Sequence, residues 1–165
     1  MSTTTVDIAK IWELLENVKD PEIPVLSVID LGVIRDVQFV GNNLKVVITP
    51  TYSGCPAMDT IEADIKGLLR SEGFEEPEVE LVLSPAWTTD WMTESGKKKL
   101  LEYGIAPPVG KTTDKRALLG KESAVKCPRC GSEQTEMISF FGSTACKSHY
   151  RCNDCLEPFD YFKCL

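Results

Sequence analysis

The sequence predicts two architectures in series: a small α+β sandwich of order helix-strand-strand-helix-strand-helix, and after it a short ribbon held by cysteines. Three observations predict this. Apolar residues recur first at helical and then at strand spacing over roughly the first hundred residues. The stretch IAPPVGKTTDKRALLGKESAVK at 105–126 then breaks the pattern with proline, glycine and charge. Beyond it, six of the seven cysteines crowd into residues 127–165. The expected boundaries are therefore a first domain over 1–104, a linker over 105–126 and a cysteine-rich module over 127–165.

The first helix is expected over Asp7–Lys19, where Ile8, Ile11, Trp12, Leu15 and Val18 share one face, with the preceding threonines as caps. DPEIP at 20–24 stops it, because each proline disfavours helix in the residue before it. Two strands follow, over 33–40 and 44–50, joined by Gly41-Asn42-Asn43, a sequence that tolerates the positive φ of a hairpin turn. The second helix is expected over 56–70, with Met58, Ile61, Ile65, Leu68 and Leu69 as its stripe, Pro56 in its first turn and Gly73 near its C-terminal cap. Val79, Leu81 and Leu83 alternate as a third strand ending at Ser84-Pro85. A last helix over Thr89–Glu102 contains Lys97–Lys99, read as a solvated face that complements the helix C-terminus. Trp87, Trp91 and Met92 read as core side chains or, alternatively, as anchors of a protein contact.

The composition, 42% hydrophobic and 26% charged, suits a folded water-soluble chain, and no apolar run is long enough to span a bilayer. The N-terminus MSTTTVDIAK lacks the basic and apolar regions of an export signal, so a cytoplasmic location is expected. Net charge is −7, and residues 1–110 carry eighteen acidic side chains against nine basic ones. A body this acidic argues against nucleic acid as the main partner. In a reducing compartment the cysteine spacings point to metal or thiol chemistry rather than to disulfides.

CPRC at 127–130 and CNDC at 152–155 are two CxxC knuckles with twenty-one residues between them. Each can present two thiolates, so Cys127, Cys130, Cys152 and Cys155 together can complete a tetrahedral shell. Four thiolates suit Zn²⁺, a single iron or an iron–sulfur cluster. Two short knuckles favour a closed structural zinc site, and a module this small needs such a staple. Two disulfides are the alternative. His149, three residues before Cys152, is a substitute ligand or an ordinary packed side chain. Cys146 and Cys164 read as small apolar fillers, with a second thiolate pair as the alternative.

Cys55 stands apart. It precedes Pro56 at the start of the second helix, where unpaired backbone N–H groups favour a thiolate. Met58 occupies the place of a resolving cysteine, so disulfide exchange within the loop is excluded and metal, cluster or mixed-disulfide chemistry remains, beside the reading of a buried structural thiol.

DPEIPVLSVIDLGVIRDV at 20–37 together with TPTYSGCPAM at 49–58 resembles the small domain of SufT-like iron–sulfur assembly factors and cytosolic iron–sulfur targeting proteins. The whole chain resembles the PaaD family, the D component of bacterial phenylacetyl-CoA epoxidase systems, through PAWTTDWM, LLEYGIAPP, CPRCGS, FGSTACKSHYRCNDC and EPFDYFKC. The resemblance implies a role in aerobic phenylacetate degradation, beside a di-iron oxygenase and an iron–sulfur flavin reductase. With one histidine the chain cannot supply the paired Glu-x-x-His motifs of a di-iron centre, and it has no Gly-rich dinucleotide fingerprint. No catalytic activity of its own is expected. What the resemblance implies is maturation: Cys55 as a transient ligand for iron or an iron–sulfur cluster, assisted by Asp20 and Glu22, with the cluster shared between two chains in a homodimer. The oxygenase or reductase would be the client, and the zinc module would dock it. The alternative is a structural or regulatory subunit acting through protein contacts alone.

Overall fold

The computed structural model describes residues 7–109 and 124–163, and the chain divides between Trp87 and Thr88 into two compact units. Among the described residues there are three α-helices and two sheets, so the expected α+β class holds.

In the first unit, α1 (Ile8–Leu15) is capped by Asp7, whose Oδ1 accepts from Ala9 N at 3.0 Å. The cap is thus Asp7 and not a threonine; Thr3–Thr5 lie outside the described residues. The helix is shorter than its apolar periodicity suggests, because the chain tightens after Leu15. Asn17 N and Val18 N bond three residues back, to Leu14 O and Leu15 O, and Val18 O is then taken by Val28 N at 3.0 Å. Val18 still reaches the core.

The DPEIP segment does more than stop a helix. Ile23, Leu26, Val28, Leu31 and Val33 are all buried, so residues 23–33 form one wall of the core. The hairpin follows: β1 (Ile34–Val40) pairs antiparallel with β2 (Asn43–Ile48), and Val40 lies opposite Asn43 across a two-residue turn with Gly41 at φ 62°. That left-handed value favours glycine. Next comes α2 (Ala57–Ser71), which carries the chain over to β3 (Glu78–Leu81), parallel to β2. Sheet order is β1-β2-β3.

One sheet face carries Val37, Leu44, Val46 and Ile48, all buried, and α2, which packs against β3 and α1, buries its own stripe of Met58, Ile61, Ile65 and Leu69. On the other face Lys45 Nζ reaches Glu80 at 2.7 Å and Glu78 at 3.7 Å. β3 departs from expectation. Leu81 and Leu83 are 44% and 59% exposed, because β3 is an edge strand with a partner on one side only. Trp87 is buried, and its indole N–H donates to Leu31 O at 2.8 Å. With Met92 also buried, these two side chains are core.

In the second unit the single helix expected over 89–102 is broken in two. Thr88 Oγ1 caps a 3₁₀ turn, Thr89–Trp91, and Thr93 Oγ1 caps α3 (Glu94–Tyr103), accepting from Gly96 N at 2.9 Å. Each threonine competes for backbone N–H groups, and Met92 between them is extended at ψ 139°. Lys97 and Lys98 pair with Glu94 and Glu102 at 2.8 and 3.8 Å. They stand a turn short of the C-terminus, so they form a solvated face and do not complement the helix end.

Gly104 ends α3 at φ 92°, and the chain enters β4 (Ile105–Ala106). This strand joins a four-stranded sheet of order β4-β7-β6-β5, built from β5 (Thr135–Ser139), β6 (Lys147–Cys152) and β7 (Pro158–Phe162). The stretch 105–126 therefore begins in a sheet, and Val125 near its end is buried; residues 110–123 lie outside the described residues. One buried apolar cluster of this unit gathers Ala106, Val125, Cys127, Tyr150, Cys152, Phe159 and Tyr161.

Ile65→Ala would remove a fully buried side chain from α2, and we expect a loss of about 2–5 kcal/mol. Urea unfolding checks it, with Leu83→Ser as the exposed comparison, expected within about 0.5 kcal/mol of the parent.

Candidate metal centre and the Cys55 loop

The two CxxC knuckles are tight turns with the same backbone device. In the first, Cys127 N bonds Ser132 O at 2.9 Å, and Gly131 has φ 76°. In the second, Cys152 N bonds Glu157 O at 3.0 Å, and Leu156 has φ 64°. The residue after the second cysteine of each knuckle is thus left-handed. Glycine adopts that conformation freely, whereas leucine does so at a cost. Cross-ties hold the turns together: Arg129 pairs with Glu157 at 3.1 Å, Ser132 Oγ donates to Asp154, and Asn153 N donates to Gln134 O at 2.8 Å.

The four sulfurs all lie within 4.8 Å of one another, with Cys127–Cys155 at 3.7 Å and Cys130–Cys152 at 3.5 Å. A tetrahedral ion with metal–sulfur bonds of about 2.3 Å requires sulfur–sulfur edges of about 3.8 Å. The residues present fit such an ion. They do not fit disulfides, since bonded sulfurs would be about 2.05 Å apart. Among the described residues these four are the one set of three or more potential ligands gathered so closely.

The thiols differ in how readily they ionise. The Cys155 N–H pointing at the Cys152 sulfur, with further help from the Asp154 N–H, holds the Cys152 thiol down to about 7 despite burial. A Glu157 backbone contact favours the Cys155 thiolate, but burial and the three neighbouring thiols outweigh it and push Cys155 up to about 12. Four thiolates this close repel one another, and a divalent cation removes that penalty.

The other cysteines and the histidine are elsewhere. His149 Nδ1 lies 3.2 Å from Asp160 Oδ1 and does not belong to the four-sulfur set. Cys146 is buried beside Thr144 Oγ1 at 3.0 Å, as expected of a packed filler. Cys164 lies outside the described residues.

Cys55 sits in the loop between β2 and α2, after Gly54 at φ 77°. Its N–H bonds Tyr52 O at 3.3 Å and its carbonyl accepts from Met58 N at 3.2 Å. The thiol is half-buried and in no disulfide. Pro56 is the N-cap of α2, and among the described residues no side chain caps that helix. At the start of the same loop Thr49 is buried, with its Oγ1 lacking a partner. Asp20 is committed to its own turn: Oδ1 accepts from Glu22 N at 2.8 Å and Ile23 N at 2.7 Å. Cys55, Asp20 and Glu22 do not form a ready-made ligand set.

Sequence reading misses two features here. Ser27 and Asp30 cap each other reciprocally, at 3.0 and 3.1 Å, a pattern visible in principle as Ser and Asp three apart. The left-handed Leu156 has no sequence signal, since nothing about leucine announces it.

Two outcomes are expected. Leu156→Gly relieves the left-handed leucine and stabilises the ribbon by under about 1 kcal/mol once glycine's greater unfolded entropy is subtracted, read as a raised thermal midpoint. Cys152→Ser abolishes stoichiometric metal retention, whereas Cys146→Ser keeps it. Metal analysis after competition with a chelator reads the second outcome, and retention weakens as pH falls because protons compete for the thiolates.

The comparisons with known proteins follow the same division. Residues 8–81 match a model described as an iron–sulfur cluster assembly protein, and residues 111–163 match a PaaD zinc beta ribbon domain. The chain is 51% identical over 158 residues to an Escherichia coli (strain K12) protein assigned as the D component of the 1,2-phenylacetyl-CoA epoxidase, covering 96% of this chain and 93% of that one. It is 36% identical over 97 residues to an Fe-S protein maturation auxiliary factor of Porphyromonas gingivalis, covering 58% of this chain and 89% of that one. A crystal structure of a DUF59 domain from Bacillus anthracis superposes with a TM-score of 0.52 at 34% identity, over 56% of this chain and 89% of that chain. From its matched assembly domain, its matched ribbon and its near-full-length likeness to that epoxidase component, the chain belongs to the PaaD family of phenylacetyl-CoA epoxidase components.

Proposed function

We propose that this chain is an accessory maturation factor of a multicomponent phenylacetyl-CoA epoxidase, acting in the cytoplasm and assisting insertion of iron or an iron–sulfur cluster into the oxygenase or the reductase component. The observation that carries this reading is the half-buried Cys55 thiol beside the uncapped N-terminus of α2, within the segment that matches an assembly domain.

The iron or cluster is cargo, and the thiolate that meets it is Cys55. One loop offers one thiol, so a second chain's Cys55 would complete a bridged cargo in a homodimer. Asp20 and Glu22 assist from the neighbouring turn, Asp20 mainly by fixing that turn through Oδ1.

Cys127, Cys130, Cys152 and Cys155 hold Zn²⁺ with no open position. The ion's chemistry there would be structural: bound by these four cysteines, it would tie the two knuckles and supply folding energy. The division of labour follows the two units: Met1–Trp87 for cargo and Thr88–Leu165 for docking. A purely structural subunit is the competing reading. It loses part of its support because Trp87 and Met92, two of its candidate anchors, are buried.

Cys55→Ala is expected to lower the iron and sulfide content of the co-expressed epoxidase components severalfold while its own zinc stays at about one per chain. Full cluster content with that variant would sink the maturation reading. Stripping zinc with a chelator is expected to unfold the ribbon, seen as loss of its aromatic near-UV signal.

A further inference from the structure

The four cysteines of the two knuckles are not equally shielded. Cys127 and Cys152 are buried and Cys155 is half-buried, whereas Cys130 is exposed. An oxidant in solution therefore meets Cys130 first. Holding a cation keeps each sulfur deprotonated, and a thiolate is the form that oxidants attack. Cys130 also has a second sulfur within reach, since Cys152 Sγ of the other knuckle lies 3.5 Å away. Cys55 has no such neighbour in its own loop, where Met58 takes the place of a resolving cysteine. An exposed thiolate beside a second cysteine is the arrangement of a reversible oxidation site.

The fold favours a bridge between the knuckles over one within a knuckle. The two turns are tied without any metal, by the Arg129–Glu157 pair at 3.1 Å, the Ser132–Asp154 hydrogen bond, and Asn153 N donating to Gln134 O at 2.8 Å. β5 and β6 hold Thr135 opposite Cys152, so the chain that follows Cys130 stays beside the second knuckle. To bond at about 2.05 Å, the two sulfurs approach by about 1.5 Å, a shift that side-chain rotation alone can supply. A Cys130–Cys152 bridge closes twenty-one intervening residues, against two within a CxxC turn. The longer loop restrains the unfolded chain more.

We propose that Cys130 is a reversible oxidation site for hydroperoxides, at which the ribbon exchanges its metal staple for a Cys130–Cys152 disulfide. The Cys130 thiolate attacks one peroxide oxygen: an S–O bond forms, the O–O bond breaks and hydroxide leaves. The Cys152 thiolate then attacks the Cys130 sulfur. The S–S bond forms and the S–O bond breaks with loss of a second hydroxide. Two thiolates give up two electrons, hydrogen peroxide accepts them, and two protons from solvent complete two waters. Cys127 and Cys155 are left as two ligands where four held the ion, so the metal is lost. A dithiol reverses the oxidation. Cys55 takes no part, so this inference stands apart from the maturation reading.

The test uses the full zinc-loaded chain, freed of reductant and treated with a few equivalents of hydrogen peroxide. A chromogenic chelator follows zinc release, and mass spectrometry of non-reduced tryptic peptides locates the bridge. Trypsin cuts after Arg129 and so separates Cys127 from Cys130, and fragment ions distinguish Cys152 from Cys155. Wild type releases its zinc as one bridge forms between Cys130 and Cys152, and rebinds zinc once dithiothreitol and the ion are added. Cys55→Ala releases zinc at the wild-type rate. Cys130→His, which keeps a ligand but removes the oxidisable sulfur, loses zinc severalfold more slowly. The proposal is overturned if zinc stays bound in peroxide, if the bridge lies within a knuckle, or if Cys130 is carried to the sulfonic acid without bridging. It is equally overturned if dithiothreitol fails to restore binding, if Cys55→Ala protects the zinc, or if Cys130→His loses zinc as fast as wild type. Should Cys130→His bind no zinc at the outset, the wild-type bridge map decides alone.

Discussion

Four sulfur atoms within 4.8 Å of one another are the constraint around which the second half of this protein is arranged. Thiolates at that spacing repel, and the thiols resist ionising together, with Cys155 pushed up to about 12 while Cys152 is held to about 7. A divalent cation turns this repulsion into cohesion. Much local structure then follows from satisfying the geometry. Both knuckles turn through a left-handed residue, Gly131 and Leu156. The strands that lead away from them pair in a sheet with Tyr150 between Phe159 and Tyr161, at 5.8 and 5.6 Å.

The first unit obeys a different constraint, the burial of one sheet face. Leu44, Val46 and Ile48 point one way along β2 and Lys45 the other, so α2 must cross over the apolar side to reach β3. That crossover fixes where the loop from Thr49 to Pro56 lies. The loop ends at a helix N-terminus without a side-chain cap. A serine or aspartate at the N-cap would stabilise α2 by about 1 kcal/mol. Proline forgoes this at the helix start that follows Cys55.

Legibility differs by element. The second helix is readable because its stripe is long and bounded by Pro56 and Gly73, and the hairpin because Gly41 permits a turn few other residues favour. The last helix reads as continuous and is not, because Thr88 and Thr93 compete as caps five residues apart, and periodicity cannot say which prevails. Leu81 and Leu83 alternate like core residues yet face solvent, since alternation reports a strand's faces and not whether both sides of it are covered. At the site, the CxxC pairs are legible as ligands because spacing alone limits what two thiols can do. Asp20 is legible as a turn former but not as the acceptor of two backbone N–H groups.

By itself the sequence determined the order of elements, the four-cysteine set and the isolation of Cys55, because periodicity and short-range spacing are local properties of a chain. Tertiary structure alone decided which strands became edges, that Trp87 and Met92 belong to the core, and that Lys163 comes to lie against Phe140 and Phe141. Those outcomes depend on contacts between residues far apart in the chain, Leu31 with Trp87 and Phe140 with Lys163, and such pairs leave no trace in local patterning.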